Sequence, residues 1–387
     1  MNAWALSFMS SSTRIPLSLA EPMPIGALLR SLIGPGSTLV FATAADTLYS
    51  RYALAYAASM RKLGIATFLV LCIDRGILTQ LQAKRIPAYY DPSVVAAAGI
   101  DERVPAGKSF TAGWLARTRC KVLYTQAVVG SGYDIFFSDS DAAWLDDPRP
   151  FLRTLTAPLV VQLNFPQDQV NSGVFYMRAT PATHRFLQLV NDLGSTAASR
   201  RAVRARIHGN FGIDDQAIFN YVLMCGDAVR LPMCEALPSG AVYPGCADRY
   251  ESSFRSRHAL RTGGSKPLSE AELQLANTTR YFSTDCPASA RNGASRGLQL
   301  QYGVLPPTLF RTGSSEAARL PGKVFLVHLN FMAAGADEKW RAGLRSHYTA
   351  AGYDANGPTH SLWGKHADGA VDARHTRNCH AQKTADV

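Results

Sequence analysis

The chain has 387 residues and 47% hydrophobic side chains, which is enough for the buried core of a large α/β domain. No run of about 18 apolar residues occurs, so the sequence predicts no transmembrane helix. The formal net charge of +11 favours anionic partners. Because no zinc-finger or RNA-recognition motif accompanies this charge, we predict no nucleic-acid partner.

The first predicted elements form a strand–helix–strand unit. Residues 1–36 precede it with four prolines and little periodicity, so we expect a partly disordered lead-in. Apolar runs predict strands over residues 38–42 and 66–73, and an amphipathic pattern predicts a helix over residues 48–63 that ends before Gly64. A helix between two buried strands is typical of a parallel βαβ unit.

The remaining elements continue this alternation. Further strands are predicted over residues 86–90, 134–138, 158–163, 173–177 and 324–329. Further helices are predicted over residues 114–129, 181–193 and 213–224. Residues 232–320 are rich in Pro, Gly and Ser and indicate a loop-rich C-terminal insertion. We therefore predict one α/β domain over residues 37–350, with a mostly parallel sheet flanked by helices, and a polar, disordered tail over residues 351–387.

Two carboxylates follow the predicted strand over residues 134–138. Asp139 and Asp141 lie two residues apart, so they point to the same side if the strand geometry continues. One or two carboxylates together with substrate phosphates are the usual ligands of Mg²⁺, and carboxylate oxygens suit Mn²⁺ as well. The pattern predicts a site for Mn²⁺ or Mg²⁺ that holds a diphosphate. A polar turn with unrelated aspartates is the structural alternative.

Three more polar patterns follow in order. They are Asn171-Ser172-Gly173 at the opening of a predicted strand, Asp214-Asp215-Gln216 before a predicted helix, and His328 at a strand end with Lys339 behind it. Amides and hydroxyls can hydrogen-bond sugar hydroxyls, and a glycine permits close approach of backbone to a ligand. An imidazole at a strand end can serve as a metal ligand. The structural alternatives are a turn before the strand, a helix N-cap and a structural histidine.

These four patterns, taken in order, closely resemble those of nucleotide-diphospho-sugar transferases with the GT-A fold. The nearest likeness is glycosyltransferase family 77, which includes plant and algal xylosyl-, arabinosyl- and galactosyltransferases. The resemblance covers about residues 37–350 and implies a GT-A (Rossmann-like) sheet. It also implies metal-dependent transfer of a pentose or hexose, with retention, from a nucleotide diphosphate donor, UDP being favoured, to a glycan or glycoprotein hydroxyl. A Golgi lumen location is implied too, although residues 1–12 lack the features of a signal peptide.

The resemblance assigns roles to individual residues. The implied metal ligands are Asp139, Asp141 and His328, and the implied nucleotide contacts are Thr43, Ala44, Asp46, Lys121, Ser140 and Lys339. The implied donor-sugar contacts are Asn171, Ser172 and Gly173, and the implied catalytic residues are Asp214, Asp215 and Gln216. Lys121 is preferred over Arg117 and Arg119 on the same helix.

Two of these assignments have alternatives that the sequence leaves open. Asp46 can accept a hydrogen bond from the nucleotide or cap the next helix. One of Asp214 and Asp215 can cap a helix while the other binds the sugar. Because no carboxylate is an obvious nucleophile, we expect a front-face mechanism in which the leaving phosphate helps to deprotonate the acceptor.

Two other classes of function compete with transfer. A haloacid-dehalogenase-type phosphatase also carries Asp-x-Asp after a strand. That motif continues with Thr or Val where this chain has Ala143, and it is expected near the first strand. A non-catalytic glycan- or nucleotide-binding protein on a transferase scaffold is the second alternative.

The seven cysteines contain no Cys-x-x-Cys pair, so no structural zinc site is predicted. Cys72 and Cys120 lie in apolar stretches and are expected in the core. The cysteines of the loop-rich region can form disulfides in an oxidising lumen; they are Cys225, Cys234, Cys246 and Cys286.

Overall fold

A computed structural model describes a β-sheet framework with flanking helices. The described residues are 23–34, 36–101, 112–164, 169–204, 214–223, 280–286, 298–306, 309–312 and 323–328. Within them, none of the helices combines the length and the apolar character that a membrane crossing requires.

The amino-terminal part of the large sheet is parallel. Strand β1 (Leu39–Ala45) pairs in parallel with β2 (Phe68–Cys72), which pairs in parallel with β3 (Ala88–Tyr90). Helices α2 (Ser50–Lys62) and α3 (Arg75–Ala83) pack against this part of the sheet. All five residues of β2 are buried, as expected for a parallel strand, which reads as a continuous apolar run. The predicted βαβ unit is confirmed.

Strand β4 (Asp134–Ser138) joins the two parts of the large sheet. It pairs in parallel with β1 and in antiparallel fashion with β7 (Gln169–Met177), which pairs with the antiparallel β6 (Leu159–Asn164). Because β1 lies between β2 and β4, the carboxyl ends of β1 and β4 form a topological switch point. Ligands of open α/β sheets usually bind in the crevice at such a point.

Two later strands complete the large sheet. Strand β9 (Leu298–Val304) pairs in parallel with β6 and in antiparallel fashion with β8 (Arg280–Cys286). The sheet therefore has eight strands in the order β3-β2-β1-β4-β7-β6-β9-β8.

A second sheet of three short strands lies beside the end of β4. In it, β5 (Ala142–Trp144) pairs in antiparallel fashion with β11 (Leu326–His328), which is parallel to β10 (Phe310–Thr312). Aromatic rings connect this sheet to β4: the Phe136 ring lies 5.0 Å from Trp144 and 6.0 Å from Phe310. Such pairs contribute roughly 0.5–1.5 kcal/mol each beyond their burial, so they fix the small sheet next to the switch point.

The other helices flank the sheets. They are α1 (Ile25–Leu32), α4 (Pro92–Ala98), α5 (Ala112–Gly130), α6 (Arg149–Leu152), α7 (Pro181–Ser195), α8 (Ala197–Arg204) and α9 (Asp215–Leu223). Helix α7 begins with a capping box between Thr180 and Thr183 and with Pro181 in its first turn, which are strong start signals. Helix α5 packs against α7 and α4 and carries the basic residues of the site.

The α/β class with a mostly parallel sheet is confirmed, and the structure adds elements that the sequence did not predict in two regions. Strands β8, β9 and β10 lie inside the stretch predicted to be loop-rich. In β9 the sequence Leu298-Gln299-Leu300-Gln301 alternates with period two, a strand signal that the composition of the wider window obscured. Helix α1, with Ile25 and Leu29 buried, lies inside the expected lead-in.

The core expectation for two cysteines is confirmed, and the disulfide expectation stays a prediction. Cys72 and Cys120 are both fully buried, which confirms them as core residues. Cys286 is the last residue of β8. Cys225, Cys234 and Cys246 lie outside the described residues, as do Lys339 and the polar tail.

Candidate functional site

Three side chains of the metal-ligand type converge at the carboxyl end of β4. Asp139 follows β4 directly, and the strand geometry does not continue, because the amide of Ala142 donates to the carbonyl of Asp139 (3.1 Å) and closes a turn. Strand β11 places His328 opposite Ala142. The imidazole Nε2 then lies 3.3 Å from Asp141 Oδ1 and 3.8 Å from Asp139 Oδ2. The turn and the pairing of β5 with β11, rather than strand alternation, bring the two carboxylates together.

This cluster fits a divalent cation. One ligand atom from each of Asp139, Asp141 and His328 lies within 4.8 Å of the others. Oδ1 of Asp141 is buried and faces only Nε2 of His328, at 3.3 Å, among the described residues, and burial of a carboxylate oxygen is costly unless a hydrogen-bond donor or a cation accompanies it. Two carboxylates and an imidazole form a donor set that suits Mn²⁺, and the carboxylates suit Mg²⁺.

The two carboxyls of the cluster differ in their protonation behaviour. Burial raises the pKa of Asp139, against the opposing charges of Lys121 and His328, although 34% of its side chain is exposed. Burial also acts to raise the pKa of Asp141, but the facing imidazole outweighs it and the pKa is lowered. A cation between the two groups would favour the ionised form of both.

Lys121 connects this cluster to the start of α9. Its Nζ lies 3.2 Å from Asp139 Oδ1 and 2.8 Å from Asp215 Oδ2, and 11% of its side chain is exposed. Burial opposes the charge of the ammonium, but the two carboxylates outweigh it and the pKa of Lys121 is raised. Ser172 Oγ also donates to Asp215 Oδ2 at 2.8 Å. Asp139, Lys121, Asp215 and Ser172 thus form one continuous polar chain.

The structure assigns the helix cap that the sequence left open. Asp214 Oδ1 accepts from the amide of Ala217 at 2.8 Å, so Asp214 is the N-cap and Asp215 is the buried residue that faces the polar chain. Burial and the neighbouring Asp215 raise the pKa of Asp214 to about 7. Gln216 is the second residue of α9 and is partly buried.

The Asn-Ser-Gly segment lies within β7 rather than at its opening, so the expectation that it opens the strand is wrong. Asn171 is 1% exposed, and its Oδ1 accepts from the amide of Gly173 at 2.6 Å. Gly173 leaves room for the cluster itself. A Cβ at this position would lie 2.2 Å from Asp139 Oδ2 and 2.6 Å from Cε1 of His328.

Three of the predicted nucleotide contacts, Thr43, Ala44 and Asp46, lie toward the carboxyl end of β1. Thr43 and Ala44 lie inside β1, not after it, and Thr43 Oγ1 is buried without a hydrogen-bond partner among the described residues. Asp46 accepts from the amide of Tyr49 at 3.1 Å and pairs with Arg117 at 2.8 Å. It therefore caps the short 3-10 helix Thr47–Tyr49, one of its two predicted roles. Burial, opposed by Arg117, raises the pKa of Asp46.

The remaining predicted nucleotide contacts are Lys121 on α5, Ser140 and Lys339. Arg119 donates to the carbonyl of Ala97 at 2.9 Å, so Lys121 is the basic residue of α5 that reaches Asp139. Ser140 lies in the turn between the two aspartates of the cluster. Lys339 lies outside the described residues.

Two residues at this site were not predicted from the sequence. Tyr49 ends the short 3-10 helix after β1 and is 40% exposed, and burial followed by the charge of Asp141 raises its pKa to about 12. Gln162 is 1% exposed in β6 and contacts His328. A glutamine after three apolar residues of a buried strand was the available signal for the second residue.

Comparison with known proteins identifies relatives of this chain. A model of the nucleotide-diphospho-sugar transferase family matches residues 63–342, more than half of the chain. The chain is 22% identical over 222 residues to the β-arabinofuranosyltransferase RAY1 of Arabidopsis thaliana; the match covers 57% of this chain and 39% of that protein. It thus spans about two fifths of the length of this relative.

Two solved structures are also similar. Mouse xyloside xylosyltransferase 1 is 10% identical, with 76% of this chain and 98% of that chain covered at a TM-score of 0.41. The glycosyltransferase GlyE of Streptococcus pneumoniae is 17% identical, with 48% of this chain and 43% of that chain covered at a TM-score of 0.32.

Proposed function

Because the chain belongs to the nucleotide-diphospho-sugar transferase family, we propose that its site transfers a pentose or hexose from a nucleotide diphosphate, UDP being favoured, to a hydroxyl of a glycan or glycoprotein. The observation that carries this proposal is the convergence of Asp139, Asp141 and His328 at the switch point of the sheet. The adjoining pair of Lys121 and Asp215 supports it, because it places further charged groups beside the cluster.

Asp139, Asp141 and His328 would hold Mn²⁺ or Mg²⁺. Such a cation, when bound, stabilises the negative charge that develops on the diphosphate as it leaves. Asp46 and its neighbours Thr43 and Ala44 line the end of β1, where the nucleoside would lie in the crevice of the sheet. We propose that Ser140, which lies in the turn between the two aspartates, donates to the diphosphate and that Lys339 is a second cationic contact.

The polar chain through Lys121 would orient the donor sugar. Lys121 pairs with Asp215 at 2.8 Å and Ser172 donates to the same carboxylate oxygen, so Asp215 has a fixed direction. An oriented carboxylate accepts hydrogen bonds from sugar hydroxyls. We assign sugar contacts to Asp215, to Gln216 beside it and to the segment that contains Asn171 and Ser172, whereas Asp214 supports α9 as its cap.

Retention by a front-face route is part of the proposal. Oδ2 of Asp215 is already engaged by Lys121 and Ser172, which makes this carboxylate a poor nucleophile. The acceptor oxygen then bonds to the anomeric carbon on the face from which the diphosphate departs, and the acceptor proton goes to the departing phosphate oxygen. NMR analysis of the product should show the anomeric configuration of the donor, and an inverted product would refute the route.

The test of the function is a donor screen with purified protein and Mn²⁺. Hydrolysis and transfer are measured for UDP-xylose, UDP-galactose, UDP-glucose, UDP-arabinose and GDP sugars. We expect Asp141→Ala to abolish metal-dependent turnover with an unchanged unfolding midpoint. Asp147→Ala is the matched control, because this carboxylate pairs with the exposed Arg149 instead. Retained activity in Asp141→Ala would refute the metal assignment, and UDP binding with Mn²⁺ without turnover of any donor would favour a non-catalytic binding protein.

The cellular context is proposed from the family alone. A Golgi lumen location and a transferase domain over residues 37–350 are the corresponding expectations. Microscopy of the tagged protein tests the location, and limited proteolysis tests the domain bounds.

A further inference from the structure

A buried glutamine lies between the two sheets and contacts the imidazole of the cluster. Gln162 is 1% exposed in β6, a strand of the large sheet. Its Nε2 lies 3.2 Å from the carbonyl oxygen of Phe310 and 3.0 Å from that of Arg311, both in β10 of the small sheet. Its Oε1 lies 3.1 Å from Nδ1 of His328.

These contacts determine the orientation of the amide. A backbone carbonyl only accepts hydrogen bonds, so the amide atom that faces Phe310 and Arg311 must be the NH₂ group. The amide oxygen therefore faces His328. That oxygen also only accepts, so Nδ1 of the imidazole must carry a hydrogen.

The position of this hydrogen decides what the other ring nitrogen can do. In a neutral imidazole with a hydrogen on Nδ1, Nε2 carries a lone pair. Nε2 is the nitrogen that lies 3.3 Å from Asp141 and 3.8 Å from Asp139. The opposite tautomer would direct an N–H group into the position of a cation and would leave the amide oxygen of Gln162 without a donor.

We infer that Gln162 is a positioning residue, which holds His328 with a hydrogen on Nδ1 and Nε2 directed at Asp139 and Asp141. The inference rests on the proposed function in one respect, namely that Nε2 binds a divalent cation. Gln162 does not touch that cation. It acts through the ring, and its two bonds to β10 keep the ring in register with β11, because β10 and β11 are paired strands.

The variants separate the hydrogen bond to His328 from simple packing. Gln162→Met keeps a side chain of similar length without a hydrogen-bonding group. Gln162→Glu keeps an oxygen that accepts from Nδ1 but loses the donors to Phe310 and Arg311. Gln126→Met is the matched control, because Gln126 on α5 accepts its hydrogen bond from Asn191 on α7 instead of from His328.

The first readout is the tautomer of His328 with excess Mg²⁺ present, because a bound cation then takes the place of a hydrogen on Nε2. Long-range ¹H–¹⁵N NMR spectra of imidazole-labelled protein are recorded, and His328 is assigned by its loss in His328→Ala. We expect the Nδ1–H tautomer in the wild type, in Gln162→Glu and in Gln126→Met. Gln162→Met should show a mixture or the Nε2–H tautomer. An Nε2–H tautomer in the wild type would overturn the inference, whatever the variants do.

The second readout is the affinity for Mn²⁺, measured by electron paramagnetic resonance of the free ion. Loss of an outer contact of a metal-binding histidine typically costs 10–100-fold in affinity, so we expect a Kd raised by roughly 10–100-fold in Gln162→Met. Gln162→Glu should recover a large part of that loss, and Gln126→Met should match the wild type. A folded Gln162→Met protein with unchanged tautomer and a Kd within about twofold of the wild type would overturn the inference.

The two readouts distinguish this inference from the proposed function. A tautomer that depends on Gln162 in a protein without Mn²⁺ binding would refute the metal site and leave the positioning of His328 intact. If Gln162→Met does not fold, the wild-type tautomer and the Gln162→Glu comparison still decide the question.

Discussion

The absence of a side chain at Gly173 is essential for the geometry of the metal cluster. A Cβ at this position would lie 2.2 Å from Asp139 Oδ2, 2.6 Å from Cε1 of His328 and 2.9 Å from Asn171 Oδ1. Non-bonded atoms rest about 3.5 Å apart, so Gly173→Ala must displace the Asp139 carboxylate by roughly 1 Å. Ligand distances in metal sites hold within about 0.2 Å. A carboxylate displaced by roughly 1 Å therefore no longer reaches the cation.

The expected result for Gly173→Ala is a folded protein with weak metal binding. Gly173 does not have a positive φ, so alanine is compatible with its backbone. Overpacking of this kind costs about 1–3 kcal/mol of unfolding free energy. We expect the Kd for Mn²⁺ to rise by more than about tenfold, which corresponds to about 1.4 kcal/mol of binding free energy.

The assay combines Mn²⁺ titration by electron paramagnetic resonance with urea unfolding of the metal-free protein. Gly130→Ala is the matched control, because a Cβ there meets His184 at 3.4 Å, an ordinary contact distance. A Gly173→Ala protein that binds Mn²⁺ within about twofold of the wild type would refute the reasoning, since the ligands would then tolerate the added methyl group.

Three further perturbations test neighbouring contacts. Lys121→Met leaves the carboxylates of Asp139 and Asp215 without the buried ammonium group that pairs with them. The metal-free protein should therefore lose roughly 3–5 kcal/mol of unfolding free energy in urea, and a loss below about 1 kcal/mol would argue against the pairing. The pKa of Asp214 is about 7 in the folded chain against 3.8 ordinarily, so the folded chain binds more protons and loses stability as pH rises between these values. Asp214→Asn should remove this decline. Its free energy of unfolding, measured by thermal unfolding, should exceed that of the wild type by up to roughly 4 kcal/mol at pH 8 and by little at pH 4. An advantage of the variant that shrinks as pH rises would contradict the raised pKa of Asp214. Tyr124→Phe deletes a hydroxyl that donates to a buried carbonyl of β2 at 2.7 Å and accepts from the amide before α4 at 3.0 Å. The variant should lose about 1–3 kcal/mol of unfolding free energy in urea, and unchanged stability would be inconsistent with these bonds.

Local patterns in the sequence were sufficient for β4 and for the start of α7. The strand over residues 134–138 was predicted with the bounds that the structure shows, because its apolar run is limited by Gly132 on one side and by Asp139 on the other. Helices with clear start signals, such as α7, were also placed correctly at their beginning. Strand β9 was missed because a short alternating segment inside a Pro- and Gly-rich region is a weak local signal.

Ambiguities between capping and binding could be decided only in three dimensions. Asp214 and Asp215 are adjacent and chemically identical, so composition cannot tell which one meets the helix amides. The structure directs Asp215 toward Lys121, whose Nζ lies 2.8 Å away. In the same way, Asp46 is shown to cap a 3-10 helix because Arg117 and the amide of Tyr49 converge on it.

The sequence by itself determined the α/β class, the position of β4 and the order of the polar patterns along the chain, because hydrophobic periodicity and helix signals act over a few residues. The family resemblance implied that His328 joins Asp139 and Asp141. Only the tertiary structure decided how close these side chains lie, that Gly173 gives them room, and that Gln162 contacts the imidazole from 166 residues away. These contacts depend on the pairing of β5 with β11 and of β4 with β7, strands far apart in the chain. Local periodicity does not encode which distant strands pair, since pairing is stabilised by the burial of both faces in the assembled core.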